Sequence, residues 1–194
     1  SSFAYFDCAM NEQHALLKLP PDLYSRNKTI AFLLDTFGME KPAQVLDVGG
    51  LSAQLGSFLN ADFNLTVVDQ RQLEGHKLPF ADNNFEAVIA SEIIEYTPKE
   101  ERLKVLEELC RVSKNYIIMS APFRKEFVEN VENMVAQQYL ENAGARHPLM
   151  EQHHKNGLSE QTEVESFLKE KGFAYMTIGE GNIANWALQQ FANG

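Results

Sequence analysis

The stretch Val45-Leu46-Asp47-Val48-Gly49-Gly50 decides the fold of this sequence. It is a short apolar run that ends in two glycines and leads into a helix-like segment. A second apolar run, Asn64-Leu65-Thr66-Val67-Val68-Asp69, ends in an acidic residue. In parallel sheets, glycines after one strand let a ligand approach the backbone, and a carboxylate after the next strand binds a ribose diol. The two runs together predict a nucleotide-type site at the carboxyl edge of a parallel sheet.

Size and charge fit one globular domain over residues 1–194. The chain is 44% hydrophobic, and its length can form a sizeable core. No apolar run approaches the roughly 18 residues of a membrane span, and residues 1–7 do not resemble a signal peptide. The formal net charge of −10 would repel a phosphate backbone. We therefore expect neither a nucleic-acid nor a membrane partner, and the two cysteines, Cys8 and Cys110, favour a cytoplasmic location.

Hydrophobic periodicity predicts alternating strands and helices. The predicted strands are 45–48, 65–68, 85–90, 116–119 and 173–178. The predicted helices are 25–38, a segment capped by Ser52, 98–112, 125 to about 139, 159–171 and 183–191. Apolar strands between amphipathic helices indicate a Rossmann-like α/β fold, a mostly parallel sheet with helices on both faces. Right-handed crossovers then bring Gly49, Asp69, Ser91 and Ser120 to one edge.

Local signals refine the predicted helices. Pro20 and Pro21 are expected to break any helix, which leaves residues 1–24 as an irregular lead, and Ser25 and Ser159 are expected N-caps. The side chains expected to be buried on two of the helices are Leu103, Leu106, Leu109 and Cys110, and Phe127, Val131, Met134 and Val135.

The order of these motifs resembles that of the class I S-adenosylmethionine-dependent methyltransferases, over roughly residues 28–178. The first run is similar to their first motif, and Val67-Val68-Asp69 is similar to their second. The loop and strand from Leu78 to Val88, the segment Ser91-Glu92-Ile93-Ile94-Glu95-Tyr96 and the helix at 106–112 follow in the expected order. The resemblance implies the class I methyltransferase fold, with the last strands of the family's seven-stranded sheet absent or truncated, and S-adenosylmethionine as cofactor.

The resemblance also implies the cofactor-binding residues. Asp47 would orient the first loop and the cofactor's amino group, and Gly49 and Gly50 would allow its close approach. Asp69 would bind the ribose diol, and Gln70 would line the same pocket. The remaining candidates are Glu74 as an adenine-binding acid, Leu78 and Phe80 as adenine walls, and Ser91 near the methyl group. Turn formation, surface exposure and packing under the loop are the structural alternatives for these residues.

Glu92 and His153 are the candidate catalytic residues. Methyl transfer depends on alignment and desolvation of donor and acceptor, and an oxygen or nitrogen acceptor can also need a general base. Glu92 follows the third strand, where the methyl group would point, although it could instead be a helix N-terminal charge. His153 or His154 could act as a base from a lid, and exposed loop histidines are the alternative. Their spacing from His147 matches no zinc pattern, so we predict no metal.

Three departures from the family pattern leave a second hypothesis open. Leu51 and Ala53 stand where the family has glycines, the connection from Asp69 to Leu78 is short, and Tyr96 replaces a common histidine. The leading hypothesis is a methyltransferase acting on a small-molecule or glycan acceptor. The alternative is a degenerate methyltransferase-like domain that binds or scaffolds within a larger glycan-modifying protein. A nicotinamide dehydrogenase is disfavoured, because the first loop lacks Gly-x-Gly-x-x-Gly.

The acceptor is expected to depend on the segment 123–158, which we interpret as an insertion that forms a lid. Ala121-Pro122-Phe123 and the residues from His147 to Leu158 resemble bacterial methyltransferase domains found alongside glycosyltransferases. This resemblance implies a glycan-related or small polar acceptor. A homodimer and a fusion to a glycosyltransferase both remain open as assemblies.

Overall fold

The computed structural model describes residue 16 and residues 19–49, 54–69 and 77–179. Its strands are β1 (Ala43–Val48), β2 (Phe63–Val68), β3 (Phe85–Ser91) and β4 (Ser113–Ser120). Its α-helices are α1 (Pro21–Thr36), α2 (Arg102–Val112), α3 (Glu126–Ala143), α4 (Pro148–Asn156) and α5 (Gln161–Glu170). Short 3-10 helices cover Gln54–Phe58, Ile94–Tyr96 and Lys99–Glu101. None of the helices in these ranges is long and apolar enough to cross a membrane.

The four strands form one parallel sheet in the order β2-β1-β3-β4. In its register Val48 lies opposite both Val68 and Ala90, and Ser91 lies opposite Ser120. The Gly49 N–H donates to the Val68 carbonyl at 2.8 Å, so the turn after β1 is fastened to the end of β2. All four carboxyl ends therefore meet at one edge, as the sequence predicted.

Helices cover both faces of this sheet, because alternate residues of each strand point to opposite sides. One face buries Leu46, Val48, Val88 and Ala90 against α2 and α5. The other face buries Val45, Ala87, Ile89 and Ile118 against α1 and the 3-10 helix Gln54–Phe58. The predicted Rossmann-like α/β class is confirmed.

Helix α1 begins earlier than the sequence predicted. Its first residue is Pro21, so the prediction that residues 1–24 are irregular is wrong for 21–24. Proline is well suited to the first helical position, because the N–H that it lacks would have no partner there and its φ is already helical. Ser25 therefore lies inside the helix and is not its N-cap.

Some of the predicted buried faces are also wrong. Leu106 and Leu109 are buried in α2, but Leu103 is exposed. In α3, Val131 and Val135 are buried, whereas Phe127 is 62% exposed and Met134 is 61% exposed. Periodicity identified the helices. It cannot determine how much of each helix's apolar surface is buried by the neighbouring elements.

The region after β4 differs most from prediction. Helix α4 was not predicted, and α5 starts at Gln161 after Glu160, so Ser159 is not its N-cap. Residues 173–178 form no strand. They lie exposed without strand pairing, with Met176 74% accessible. The predicted helix 183–191 and Ser52 lie outside the described residues.

Candidate cofactor and acceptor site

The turn after β1 needs glycine at position 49. Gly49 has a φ of 85°, in the left-handed region that L side chains rarely adopt. A Cβ there would lie 3.0 Å from Cγ1 of Ile93 and 3.2 Å from the carbonyl oxygen of Ser91. The absent side chain therefore lets the turn after β1 pack closely against Ile93 and the Ser91 carbonyl, in the turn that follows β3.

Asp47 lies below this turn and does not line an open surface. Its side chain is on the face of β1 that packs toward α1, and the residue is only 5% exposed. Burial raises the pKa of its carboxyl to about 6, against the opposing effect of the Arg26 charge. A carboxyl in this position can hold the loop and one nearby cation.

Arg26 of α1 is that cation, and it also reaches the end of β3. Its guanidinium lies 2.6 Å from a carboxylate oxygen of Glu92. Glu92 has a φ of 56° and donates its N–H to the Ser120 carbonyl at 2.8 Å. A non-glycine residue in this conformation is strained, and such strain is concentrated at functional sites. Helix α1 therefore closes over the carboxyl edge through an ion pair that sequence reasoning missed.

Glu95 lies deeper in the same cluster, in the 3-10 helix after β3. It is 2% exposed, and its Oε2 has no hydrogen-bond partner within the described part of the chain. Burial raises the pKa of its carboxyl to about 7, and the Glu92 charge adds to the increase, whereas the His153 and Arg26 charges oppose it. Burial, followed by the charges of Glu92 and Glu95, also raises the pKa of the Tyr96 hydroxyl.

His153 is buried and paired, so the alternative of an exposed loop histidine is wrong for it. The residue is 7% exposed, and its Nδ1 lies 3.0 Å from Oε1 of Glu132, which is 4% exposed. Its ring packs against Tyr96, with 5.4 Å between ring centroids. Its Nε2 has no hydrogen-bond partner among the residues described. By contrast, the neighbouring His154 is exposed, and the His147 side chain accepts a hydrogen bond from the Met150 N–H at the start of α4.

Arg102 holds helix α4 onto the turn that follows β3. Its Nε donates to the Ile94 and Thr97 carbonyls, both at 3.1 Å. Its Nη2 donates to the carbonyls of Asn156 and Gly157 at the end of α4. The Asn156 amide adds a hydrogen bond of 3.3 Å to the Glu95 carbonyl. The segment 123–158 therefore packs directly beside the end of β3.

A second network holds the loop before β3 against α2. The Leu78 N–H donates to Oε1 of Glu108 at 2.6 Å. Arg111 donates to both oxygens of Glu108, at 2.6 and 2.8 Å, and to Asp82 at 2.6 Å. The Asn83 N–H donates to the Arg111 carbonyl at 2.8 Å. This loop is thus fixed in position by one buried carboxylate and one guanidinium.

The remaining candidate residues differ in their burial and in whether the structure describes them. Asp69 and Ser91 are partly buried at the ends of β2 and β3. Leu78 is buried in the core, and Phe80 packs edge-on against Phe85, so both make the packing contacts of the structural alternative. Gly50, Gln70 and Glu74, together with Leu51 and Ala53, lie outside the described residues. The described residues hold no group of three or more His, Cys, Asp or Glu side chains that could bind a metal ion.

Comparison with known proteins agrees with this arrangement. Residues 40–117 match the family described as a methyltransferase domain. A comparison with curated proteins finds no match. The matched segment contains β1, β2, β3 and α2, the elements that carry Asp47, Gly49, Asp69 and Ser91.

Solved structures of methyltransferases share the fold. A protein from Bacillus halodurans, provisionally described as a methyltransferase, superposes with a TM-score of 0.52 at 13% identity, covering 83% of this chain and 77% of that one. A SAM-dependent methyltransferase from Aquifex aeolicus is 18% identical with a TM-score of 0.47, covering 84% of this chain and 93% of its own. The superposition on the Bacillus halodurans structure shows that the fold is that of the class I methyltransferases. The match over residues 40–117 agrees with this fold, since that segment is similar to a methyltransferase domain.

The residues present fit the cofactor of this family. S-adenosylmethionine supplies a methyl group that is activated by attachment to a sulfonium. Gly49 forms a tight turn with a positive φ at the carboxyl edge of the sheet, which is the edge where ligands of open α/β sheets bind. Asp69 follows β2 at the same edge, where a ribose diol would be bound.

Proposed function

We propose that this chain transfers the methyl group of S-adenosylmethionine to a small polar acceptor, a small molecule or a glycan. The observation that carries the proposal is the tight Gly49 turn at the carboxyl edge of the sheet, with Asp69 after β2 and Ser91 at the end of β3 along the same edge. In this proposal Gly49 and Gly50 contact the methionine part of the cofactor, and the buried Asp47 orients their loop. Ribose and adenine contacts come from Asp69, Gln70, Glu74, Leu78 and Phe80.

The acceptor side of the proposed site lies at the end of β3. Ser91 and Glu92 follow the strand, and Arg26 neutralises Glu92 from α1. Helix α4 covers the next turn, which supports a lid role for the segment 123–158. A small polar acceptor fits this environment, because its contacts would be hydrogen bonds to buried polar groups.

The alternative is a methyltransferase-like domain that binds cofactor or acceptor without turnover, within a larger glycan-modifying protein. Leu51 and Ala53, in place of glycines, are the sequence features that favour it. Incorporation of labelled methyl groups into any acceptor would reject this alternative. Binding of S-adenosylhomocysteine without incorporation would support it.

The proposal also covers the domain organisation, cellular location and assembly of the protein. We propose a single domain over residues 1–194 that acts in the cytoplasm, because two cysteines are too few for a disulfide framework. The net charge of −10 supports the absence of a nucleic-acid partner. A homodimer and a fusion to a glycosyltransferase remain the two assemblies that size measurements on the full-length protein would separate.

Calorimetry with S-adenosylmethionine and S-adenosylhomocysteine tests the proposed function. We expect binding by the native chain and, for Asp69→Asn, an affinity weaker by about tenfold or more, because hydrogen bonds to a charged group are lost. The matched control is Asp62→Asn, at the exposed opposite end of β2, which should leave affinity unchanged. Absence of binding by the native chain at millimolar ligand would overturn the proposal.

A further inference from the structure

We propose that Glu132 and His153 form a general-base dyad and that the methyl acceptor is a hydroxyl group. In this dyad His153 takes the proton from the acceptor, and Glu132 is a positioning residue that acts through His153. The inference rests on the proposed function and deepens it, since it names the class of acceptor and a residue that the sequence motifs do not indicate.

The geometry of the pair is that of an oriented base. Oε1 of Glu132 lies 3.0 Å from Nδ1 of His153, and both side chains are almost fully buried. A carboxylate accepts only, so Nδ1 carries the proton in the neutral ring, and Nε2 keeps its lone pair. The same division of roles orients the histidine base in catalytic triads.

The unpartnered Nε2 points to a ligand. Buried polar atoms almost always have a hydrogen-bond partner, and each exception calls for an explanation. Nε2 of His153 has no partner within the described ranges, although Nδ1 of the same ring is paired. A histidine kept only for packing would be expected to satisfy both nitrogens, so a buried acceptor lone pair fits a proton donor that arrives with the substrate.

The dyad lies beside the proposed cofactor site. The His153 ring packs against Tyr96, in the 3-10 helix Ile94–Tyr96 that follows β3. Ile93, at the start of the same turn, packs against Gly49, where an added Cβ would lie 3.0 Å from its Cγ1. One short turn therefore connects the Gly49 turn with the buried imidazole.

The surrounding charges favour a hydroxyl over the other acceptors considered. Glu92 and Glu132 bring carboxylates to this turn, Glu92 beside Arg26 and Glu132 beside the neutral ring of His153. Negative surroundings would keep an amine protonated and therefore unreactive, and would repel a carboxylate acceptor. A neutral hydroxyl avoids both problems, and it is also the acceptor that gains most from a base as it attacks.

The methyl transfer needs no reactant other than S-adenosylmethionine, the acceptor hydroxyl and the dyad. As the acceptor oxygen attacks the methyl carbon, its proton passes to Nε2 of His153 and a new O–C bond forms. The C–S bond breaks, and its electron pair stays on sulfur, which leaves neutral S-adenosylhomocysteine. Glu132 stabilises the imidazolium until His153 releases the proton to water.

Nε2 is covered in the present arrangement, so the acceptor can enter only when α4, which carries His153, opens from the turn after β3, and transfer follows the return of α4. Helix α4 is followed by Gly157, which has a φ of 68° and a ψ of 150° that other residues avoid. Gly144, in the preceding connection, also has a positive φ, of 65°. These two glycines permit turns at both ends of the helix.

The first test is made on the native chain, so it does not depend on how variants fold. Nitrogen-15 NMR of histidine-labelled protein should show His153 protonated at Nδ1 and unprotonated at Nε2 in its neutral form. The opposite tautomer would overturn the proposal, because Nε2 could not then accept a proton.

The second test measures methyl transfer from labelled S-adenosylmethionine to four probes: phenol, methyl glucoside, benzylamine and benzoate. We expect label in a hydroxyl probe, with kcat lowered about 100-fold or more in His153→Gln and about 10- to 100-fold in Glu132→Gln. KM for S-adenosylmethionine and the affinity for S-adenosylhomocysteine should stay within about twofold. The matched control is Glu129→Gln, on the same helix as Glu132. It breaks an exposed ion pair with Arg124 and should leave kcat unchanged.

The outcomes separate the two proposals. Label only in the amine or carboxylate probe, label in neither hydroxyl probe, or an unchanged kcat in His153→Gln would overturn the dyad while cofactor binding stands. Loss of S-adenosylhomocysteine binding by the native chain would overturn the proposed function itself. A fall in kcat and cofactor affinity together in both variants would show a structural role for the pair.

Discussion

At the scale of single residues, the turn after β1 depends on the absence of one side chain. Gly49 has a positive φ and packs tightly against Ile93 and the Ser91 backbone. This backbone cannot move without disturbing the end of β3. The requirement for glycine at this position is therefore both conformational and steric.

We predict that Gly49→Ala lowers the free energy of unfolding by about 1–3 kcal/mol and abolishes measurable S-adenosylhomocysteine binding. The matched control is Gly56→Ala, where a Cβ would meet only Leu65 at an ordinary 3.6 Å. The control should change stability by no more than about 1 kcal/mol and leave affinity unchanged. Denaturant unfolding and calorimetry check both expectations, and equal effects of the two variants would contradict them.

At the scale of elements, helix α2 positions the loop in front of β3. The Glu108 carboxylate is buried, and the Arg111 hydrogen bonds, followed by the Leu78 N–H, outweigh burial and lower its pKa. A pKa held below its unfolded value adds stability at neutral pH, which is lost as the pH falls through the folded pKa. The loop that carries Leu78 and Phe80 precedes β3 and is thus held in place by α2, the helix that follows β3 in the sequence.

Glu108→Gln should lower the free energy of unfolding by about 1–3 kcal/mol and weaken cofactor binding, because the paired charge is lost from a buried position. Its neighbour Glu107 makes an exposed ion pair with Lys171 at 3.0 Å. Glu107→Gln is the control, with an expected change within about 0.5 kcal/mol. Thermal unfolding of the two variants measures the difference, and a Glu108→Gln protein as stable as the control would refute the positioning role.

At the scale of the whole molecule, the carboxyl edge of the sheet carries buried acidic side chains whose ionisation lowers the stability of the fold. The pKa of Asp47 is raised to about 6 and that of Glu95 to about 7, in both cases mainly by burial. Each carboxyl binds a proton more tightly in the folded chain than in the unfolded chain. The stability that this proton binding adds is fully present below the pKa of the unfolded chain. It is lost as the pH rises through the pKa of the folded chain.

Unfolding free energy should therefore fall as the pH rises from about 5 to about 8, with a loss from Glu95 on the order of 3 kcal/mol. Glu95→Gln should remove most of this slope and be more stable than the native chain at pH 8. Urea unfolding across the pH range tests this expectation. A native stability that increases over the same interval would show that other titrating groups dominate.

The sequence by itself determined the parallel sheet and the order of its motifs. Apolar runs such as 45–48 and 85–90 predict strands from their local pattern and length, and the glycine and acid that follow such runs mark the ligand edge. Local patterns also identified α2 and α5. They failed for α4 and for residues 173–178, where the arrangement depends on what the segment packs against and not on its own periodicity.

Only the tertiary structure decided how the site is charged and where its base would lie. Arg26 and Glu92, Glu132 and His153, and Glu95 and Asn156 are far apart in the chain, and no local pattern pairs them. Burial, which raises the pKa values of Asp47 and Glu95, is likewise a property of the packed fold. Short-range apolar patterns set the framework because strand and helix periods are local, whereas long-range contacts set the chemistry because charges interact across space.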